Sequence, residues 1–179
     1  EASSKVSQKL KDDIRFSYDN VRTFAEAQKE TLQNFDIEIV PGFTAGQKYI
    51  PCKSVGCYIP GGRYSHVASA TAKVAGCTNI NACSPPRADI GINPAIIYTA
   101  DLCGADTIMA MGGVQAIASM AYGLFGLANA DILVGPGNQF VAEAKRLLFG
   151  KVGLDMIAGP TDSLILADKT ADPLIVATD

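Results

Sequence analysis

Four times between Val55 and Leu148 a short apolar run stops at a corner or loop and a helical pattern follows. The runs are VGCYI, TNINACS, DTIMAM and DILV. The helical patterns that follow are a short one ending at Gly76, then NPAIIYTADLCG, VQAIASMAYG and QFVAEAKRLLFG. A fifth run, LDMIAG, passes through GPTD into the strand-like SLILAD. Strands this short and this continuously apolar are buried on both faces, and their alternation with helices calls for a parallel sheet clad on both sides. The sequence therefore predicts an α/β fold, a Rossmann-like, mostly parallel sheet with flanking helices. Local signals support the helices: Asn93 reads as an N-cap, Pro94 as the first helical residue and Gly104 as the C-cap. With 179 residues, 48% apolar and 18% charged, the chain has material for one domain with a core or two small ones.

A different pattern precedes this alternation. Residues 4–31 read as one long helix, with Val6, Leu10, Ile14, Val21 and Phe24 on one side and charge on the other. Such a helix packs on the body of the protein or on a partner subunit. DIEIVPG, with Ile37 and Ile39 alternating with acids, reads as an edge strand ending in a turn. GQKYIPCKSVGCYIPGG reads as two short strands around Cys52 to Ser54. The organisation expected is thus 1–52 as an N-terminal helix with edge strands, and 53–179 as a Rossmann-like nucleotide-binding region running into an incomplete second domain from about 155. TADPLIVATD reads as the opening of one more helix, capped by Thr170 or Asp172, with Pro173 in its first turn. Its pattern stops unfinished, as in a chain that continues.

Several function classes are disfavoured. No run of 18 apolar residues occurs, so no membrane-spanning helix is expected. No basic region precedes an apolar one near the start, so no signal peptide is expected. Net charge is −3 and the 15 Lys and Arg are scattered, which argues against a nucleic-acid surface. The five cysteines are odd in number and lack zinc-ribbon spacing, and Cys52 and Cys57 are too far apart for a CxxC pair. They read as reduced thiols of a cytoplasmic protein.

In an open parallel sheet, ligands bind beyond the carboxyl ends of the strands. Four such ends carry glycine-rich corners: YIPGG at 58–62, MGGVQ at 111–115, VGPGN at 134–138 and AGPTD at 158–162. Glycine lets a backbone approach a ligand closely, and a following helix N-terminus offers N–H groups to a phosphate. One such corner is explained equally well as a tight turn. Four on one face point to a binding site, although GxGxxG is missing.

Groups able to do chemistry are few. His66 is the single histidine. With Arg63 it reads either as a contact for an anionic or polar substrate or as a cap at the start of a short helix. No Ser-His-Asp set or metal-ligand spacing can be assembled around it. Asp155, Asp162 and Asp168 lie near strand ends, where carboxylates often cap helices or face solvent. Thr161 sits in a Gly-Pro corner where its hydroxyl faces a ligand or caps the turn.

YIPGG, GGVQAIASMAYG, ADILVGPGNQFVAEAKRLLFG and DMIAGPTDSLILAD, in this order and spacing, strongly resemble the histidinol dehydrogenase family from about residue 5 to the end. The resemblance implies a fold similar to that of aldehyde dehydrogenases. It implies a zinc-dependent homodimer that oxidises a primary alcohol to a carboxylate by two hydride transfers to NAD, through a bound aldehyde. It further implies NAD contacts from Tyr58, Gln115 and Asn138, and a substrate contact from Thr161, where biosynthetic members carry serine in Gly-Pro-Ser-Glu. Physically, Asn138 can cap its helix and bond a ribose or nicotinamide, and Tyr58 can offer an aromatic face or a hydroxyl.

Three departures qualify the match. GGRYSH and GPTDS are more similar to a paralogous branch that includes sulfopropanediol dehydrogenase, whose substrate is a dihydroxypropanesulfonate. Arg63 and His66 suit a sulfonate, since charge-assisted bonds favour such oxyanions. The segment HVASATAKVAG is shorter than the family's by roughly five residues, more than a helical turn. Finally, the family's Gln-Ala-Glu-His segment, with its zinc-binding Gln and His, and the Glu-His pair that serves as base would both lie beyond this chain. No catalytic residue and no zinc ligand is therefore expected within these residues. A non-catalytic nucleotide-binding or dimerisation remnant is the alternative.

Overall fold

The computed structural model describes residues 2–61, 68–156, 165 and 167–178. Its centre is a five-stranded sheet of β3 (Ser54–Tyr58), β4 (Asn79–Ser84), β5 (Thr107–Ala110), β6 (Ile132–Val134) and β7 (Gly153–Leu154). The spatial order is β5-β4-β3-β6-β7, and each adjacent pair is parallel. β3 runs outward through β4 and β5, then the chain crosses back and places β6 on the other side of β3. The strand order therefore reverses between β3 and β6, and ligands of open α/β sheets bind at such a switch point.

The alternation of side chains explains why both faces are clad. Val55, Cys57 and Ile59, with Ile80, Ala82, Ile132 and Val134, face α2 (Ala68–Ala75) and α3 (Pro94–Leu102). Tyr58, Cys83 and Leu133 face α4 (Gly113–Tyr122) and α5 (Gln139–Leu147), where Ile117, Met120, Val141 and Ala144 meet them. Two aspartates set strand starts by the same device. The carboxylate of Asp106 accepts from Ile80 N–H at 2.8 Å, and that of Asp131 accepts from Lys53 and Ser54 N–H at 2.8 and 3.0 Å. Each begins an Ala-Asp pair leading into an apolar strand, so buried N–H groups at the sheet's amino edge are satisfied from the neighbouring strand. Asn93 Oδ1 accepts from Ala95 N–H at 2.9 Å and caps α3. The helix ends at Cys103, with Gly104 just beyond it at φ +77.

The N-terminal part differs from the sequence reading in three ways. The helix expected over 4–31 is interrupted: a 3₁₀ turn at Ser3–Lys5 precedes α1 (Gln8–Glu30), because Ser7 turns extended and its hydroxyl accepts from Leu10 N–H. Its inward face is Ile14 and Ala25, with Val21 half-buried, whereas Leu10 and Phe24 stay in solvent. α1 is tied to α2 by Lys29 Nζ donating to Val74 C=O at 2.8 Å, and to α3 by Arg15 donating to the Tyr98 hydroxyl at 3.4 Å. The strand expected before Cys52 lies earlier, at β2 (Phe43–Gln47), paired antiparallel with β1 (Phe35–Val40). Pro41 and Gly42 make the two-residue turn, with Gly42 at φ +80. This hairpin is a separate two-stranded sheet, exposed throughout.

At the other end, of the described residues of LDMIAG only Leu154 is strand, forming β7 with Gly153 before it. Of the strand expected at SLILAD, Ser163, Leu164 and Leu166 lie outside the described residues, and Ile165, Ala167 and Asp168 are not in a strand. α6 (Pro173–Thr178) forms where the sequence predicts it, and of the two candidate caps Asp172 serves, accepting from Leu174 N–H at 2.9 Å. Among the described residues no helix is long and apolar enough to cross a membrane.

Candidate functional site

The carboxyl edge of the sheet is closed by contacts that run from one strand end to the next. At the β5 end, a Cβ on Gly112 would stand 2.5 Å from Pro85 Cβ, and Pro85 follows β4. Pro85 also meets the β3 corner, 3.0 Å from where a Cβ on Gly61 would be. Tyr58, the last residue of β3, lies at the middle of this edge. Its side chain is buried against Ile117 and Met120, and its hydroxyl accepts from Gly113 N–H at 3.1 Å.

The β6 corner approaches the same tyrosine from the other side. Gly135 has φ +117 and a Cβ there would overlap the Tyr58 carbonyl oxygen, so this approach requires glycine. Its N–H and its C=O are both held. Gly135 N–H donates to Asp155 Oδ2 at 2.8 Å, and Lys145 Nζ donates to Gly135 C=O at 3.1 Å and to Asp155 Oδ1. Asp155 Oδ1 also accepts from Met156 N–H at 2.7 Å. Burial pushes the Asp155 carboxyl up, but the bonds from Lys145, Gly135 and Met156 outweigh it and hold the group below its ordinary range.

The three cofactor residues read from sequence lie on one edge, beyond the carboxyl ends of β3, β5 and β6. Their surroundings differ. The Tyr58 ring is core, and its hydroxyl oxygen is engaged by Gly113 N–H, which leaves the O–H as a donor. Gln115 is exposed in the first turn of α4, its Oε1 folded back 3.1 Å from where a Cβ on Gly113 would be. Asn138 is exposed and caps α5: its Oδ1 accepts from Phe140 and Val141 N–H, both at 3.1 Å. The oxygen is thus spent on the cap, and Nδ2 is left to donate, narrower than the two-way bonding the sequence suggested. Arg63, His66 and Thr161 lie outside the described residues, as does the corner at 158–162.

These features fit a dinucleotide. The glycines of the Gly135–Asn138 corner let bare backbone pack close on the strand and helix ends: a Cβ on Gly137 would overlap Val141, as one on Gly135 would overlap Tyr58. α4 begins with no side-chain cap, which leaves N–H groups of its first turn for a ligand. Zinc fits less well, because among the described residues no group of three or more His, Cys, Asp or Glu is placed to hold a metal ion.

Sequence reasoning missed Lys145. The available signal was its place on the inner face of α5, with Val141, Ala144 and Leu148 at helical spacing, where a lysine is out of pattern.

A family model described as histidinol dehydrogenase matches residues 1–179. The chain is 69% identical to the sulfopropanediol 3-dehydrogenase of Ruegeria pomeroyi, an alignment that covers 99% of this chain and 42% of the relative. It is 60% identical to a histidinol dehydrogenase homolog of Pelagibacter ubique, over 100% of this chain and 43% of that one. The crystal structure of histidinol dehydrogenase from Elizabethkingia anophelis superposes with a TM-score of 0.81 at 38% identity, over 99% of this chain and 42% of that one. The chain thus spans less than half the length of these relatives.

Proposed function

The chain belongs to the histidinol dehydrogenase family, and from that premise we propose that it forms the cofactor-binding portion of an NAD-dependent alcohol dehydrogenase. The observation that carries the reading is the meeting of the MGGVQ and VGPGN corners at Tyr58, on the switch point of a parallel sheet. In this reading the first turn of α4 and the Gly135–Asn138 corner receive the anionic part of the dinucleotide. Asn138 Nδ2 and the Tyr58 O–H donate to its oxygens, and Gln115 covers it from the solvent side. NAD would supply the hydride acceptor; the zinc and the general base implied by the family would come from residues outside this chain.

We assign the substrate to a small alcohol carrying an oxyanion, such as 2,3-dihydroxypropanesulfonate, in preference to histidinol. Support comes from 69% identity to the sulfopropanediol dehydrogenase, against 38% to a histidinol dehydrogenase. Arg63 and His66 follow the Tyr58 corner in sequence; the guanidinium of Arg63 favours a sulfonate and repels an ammonium, and an imidazole N–H of His66 can donate to the same oxyanion. A cytoplasmic location and a homodimer complete the proposal. The cysteines are free, and Phe16, Phe24, Phe43 and Ile50 are each more than 60% exposed, the kind of surface that a second subunit covers.

Calorimetric titration of NAD into the chain tests the cofactor reading. Asn138→Asp keeps the helix cap but removes the Nδ2 donors and sets a carboxylate beside the phosphates, so binding should weaken about tenfold. Unchanged affinity would remove Asn138 from the site. For the substrate, steady-state kinetics on an enzyme of the family's full length should favour the sulfonate over histidinol, and Arg63→Ala should reduce that preference. Preference for histidinol would overturn the assignment.

A further inference from the structure

Lys145 is 4% exposed, on a helix face that otherwise packs with apolar residues. A buried ammonium is costly, and a buried ion pair is often replaced by apolar residues with no loss of stability. Stability alone therefore does not explain the pair with Asp155. What the pair does, and an apolar contact cannot, is hold both backbone groups of one residue, Gly135. Asp155 takes the N–H of Gly135 and Lys145 takes its C=O. Asp155 stands at the end of β7, and through Met156 N–H it also fixes the start of the next corner. One ion pair thereby sets the backbone of the β6 corner and anchors it to β7.

We propose that Lys145 and Asp155 are positioning residues for the dinucleotide. They hold the backbone of Gly135 on both sides so that the Gly135–Asn138 corner is preorganised before the ligand arrives. The proposal rests on the reading of the Gly135–Asn138 corner as part of an NAD site. Neither residue need touch the ligand. Lys145 is enclosed beneath the corner, and Asp155 has both oxygens engaged, Oδ1 by Lys145 and Met156 and Oδ2 by Gly135.

The test separates positioning from stability. NAD affinity is measured by calorimetry on the 179-residue chain, with melting temperature and far-UV circular dichroism recorded for every variant. Lys145→Met keeps the length of the side chain and releases the Gly135 carbonyl; NAD binding should weaken about tenfold or more, as for other small misplacements of binding groups. The double variant Lys145→Met with Asp155→Asn removes both charges, so its melting temperature should recover toward wild type while its affinity stays low. Recovery of both together would show a stabilising contact only and overturn the proposal. Asp155→Asn alone, which keeps acceptor and volume, covers the case in which Lys145→Met fails to fold, and it should weaken NAD severalfold; wild-type affinity there would refute the proposal too. If the unmutated chain binds no NAD, the cofactor reading itself fails and takes this inference with it.

Discussion

Gly135→Ala measures directly how closely the β6 corner meets β3. Two costs combine. At φ +117 an L-residue is strained, by about 1–3 kcal/mol. The added methyl would also overlap the Tyr58 carbonyl oxygen and lie 3.0 Å from its carbonyl carbon. Tyr58 is a strand end paired to β4 and tied to Gly113, so it cannot move aside as a flexible side chain would. Such overpacking costs about 1–3 kcal/mol. Together the two terms come to about 2–6 kcal/mol, a large share of the 5–15 kcal/mol, roughly, that a domain has. Gly150→Ala is the control: its φ is +89, but a Cβ there meets nothing within 4 Å, so it bears the strain alone. Urea unfolding followed by circular dichroism should show unchanged slopes and a lower midpoint for both, with Gly135→Ala the less stable by about 1–3 kcal/mol. If the two variants agree within about 0.5 kcal/mol, the overlap with Tyr58 is not there and the site geometry built on it fails.

Tyr58→Phe leaves the Gly113 N–H without its acceptor and should cost about 1–3 kcal/mol in the same unfolding assay; a neutral substitution would mean that the corner does not lean on the tyrosine. Asp155 predicts a pH dependence. Its folded carboxyl lies below the ordinary 3.8, so its stabilisation is complete above that value and is lost as pH falls through the folded one. Acid titration of stability should therefore steepen below about pH 4, less so in Lys145→Met, and an identical acid limb in the variant would contradict the pairing. Thiol chemistry offers a third check. Cys52 is exposed, whereas burial pushes Cys57 up to about 11 and Cys83 and Cys103 to about 12, and it raises Cys77 as well. A disulfide reagent at mild pH should label one cysteine quickly in the native chain and all five after denaturation; fast labelling of a second native thiol would show that the core is more open than described.

The sequence by itself determined whatever depends on neighbours a few residues apart. Apolar runs of strand length followed by helical periodicity determined the order of elements from β3 to α5. Side-chain chemistry at helix starts determined the caps at Asn93 and Asn138 and narrowed the third to Thr170 or Asp172, because such a cap bonds N–H groups two or three residues on. Glycine in the corners marked where backbone must come close, without saying to what. The tertiary structure decided which strand lies beside which. Nothing local in DILV says that it pairs with VGCYI, yet that pairing creates the switch point and brings Gly135 onto Tyr58. It likewise turned Tyr58 inward, spent the Asn138 oxygen on its own helix and gave Lys145 its partner on β7. The tertiary structure also divided the apolar face of α1, with Ile14 and Ala25 covered and Leu10 and Phe24 exposed: periodicity shows that a helix has an apolar side, but the body it packs on selects how much of that side is covered. Burial and pairing are properties of segments far apart in the chain, and they arise only when the whole sheet closes.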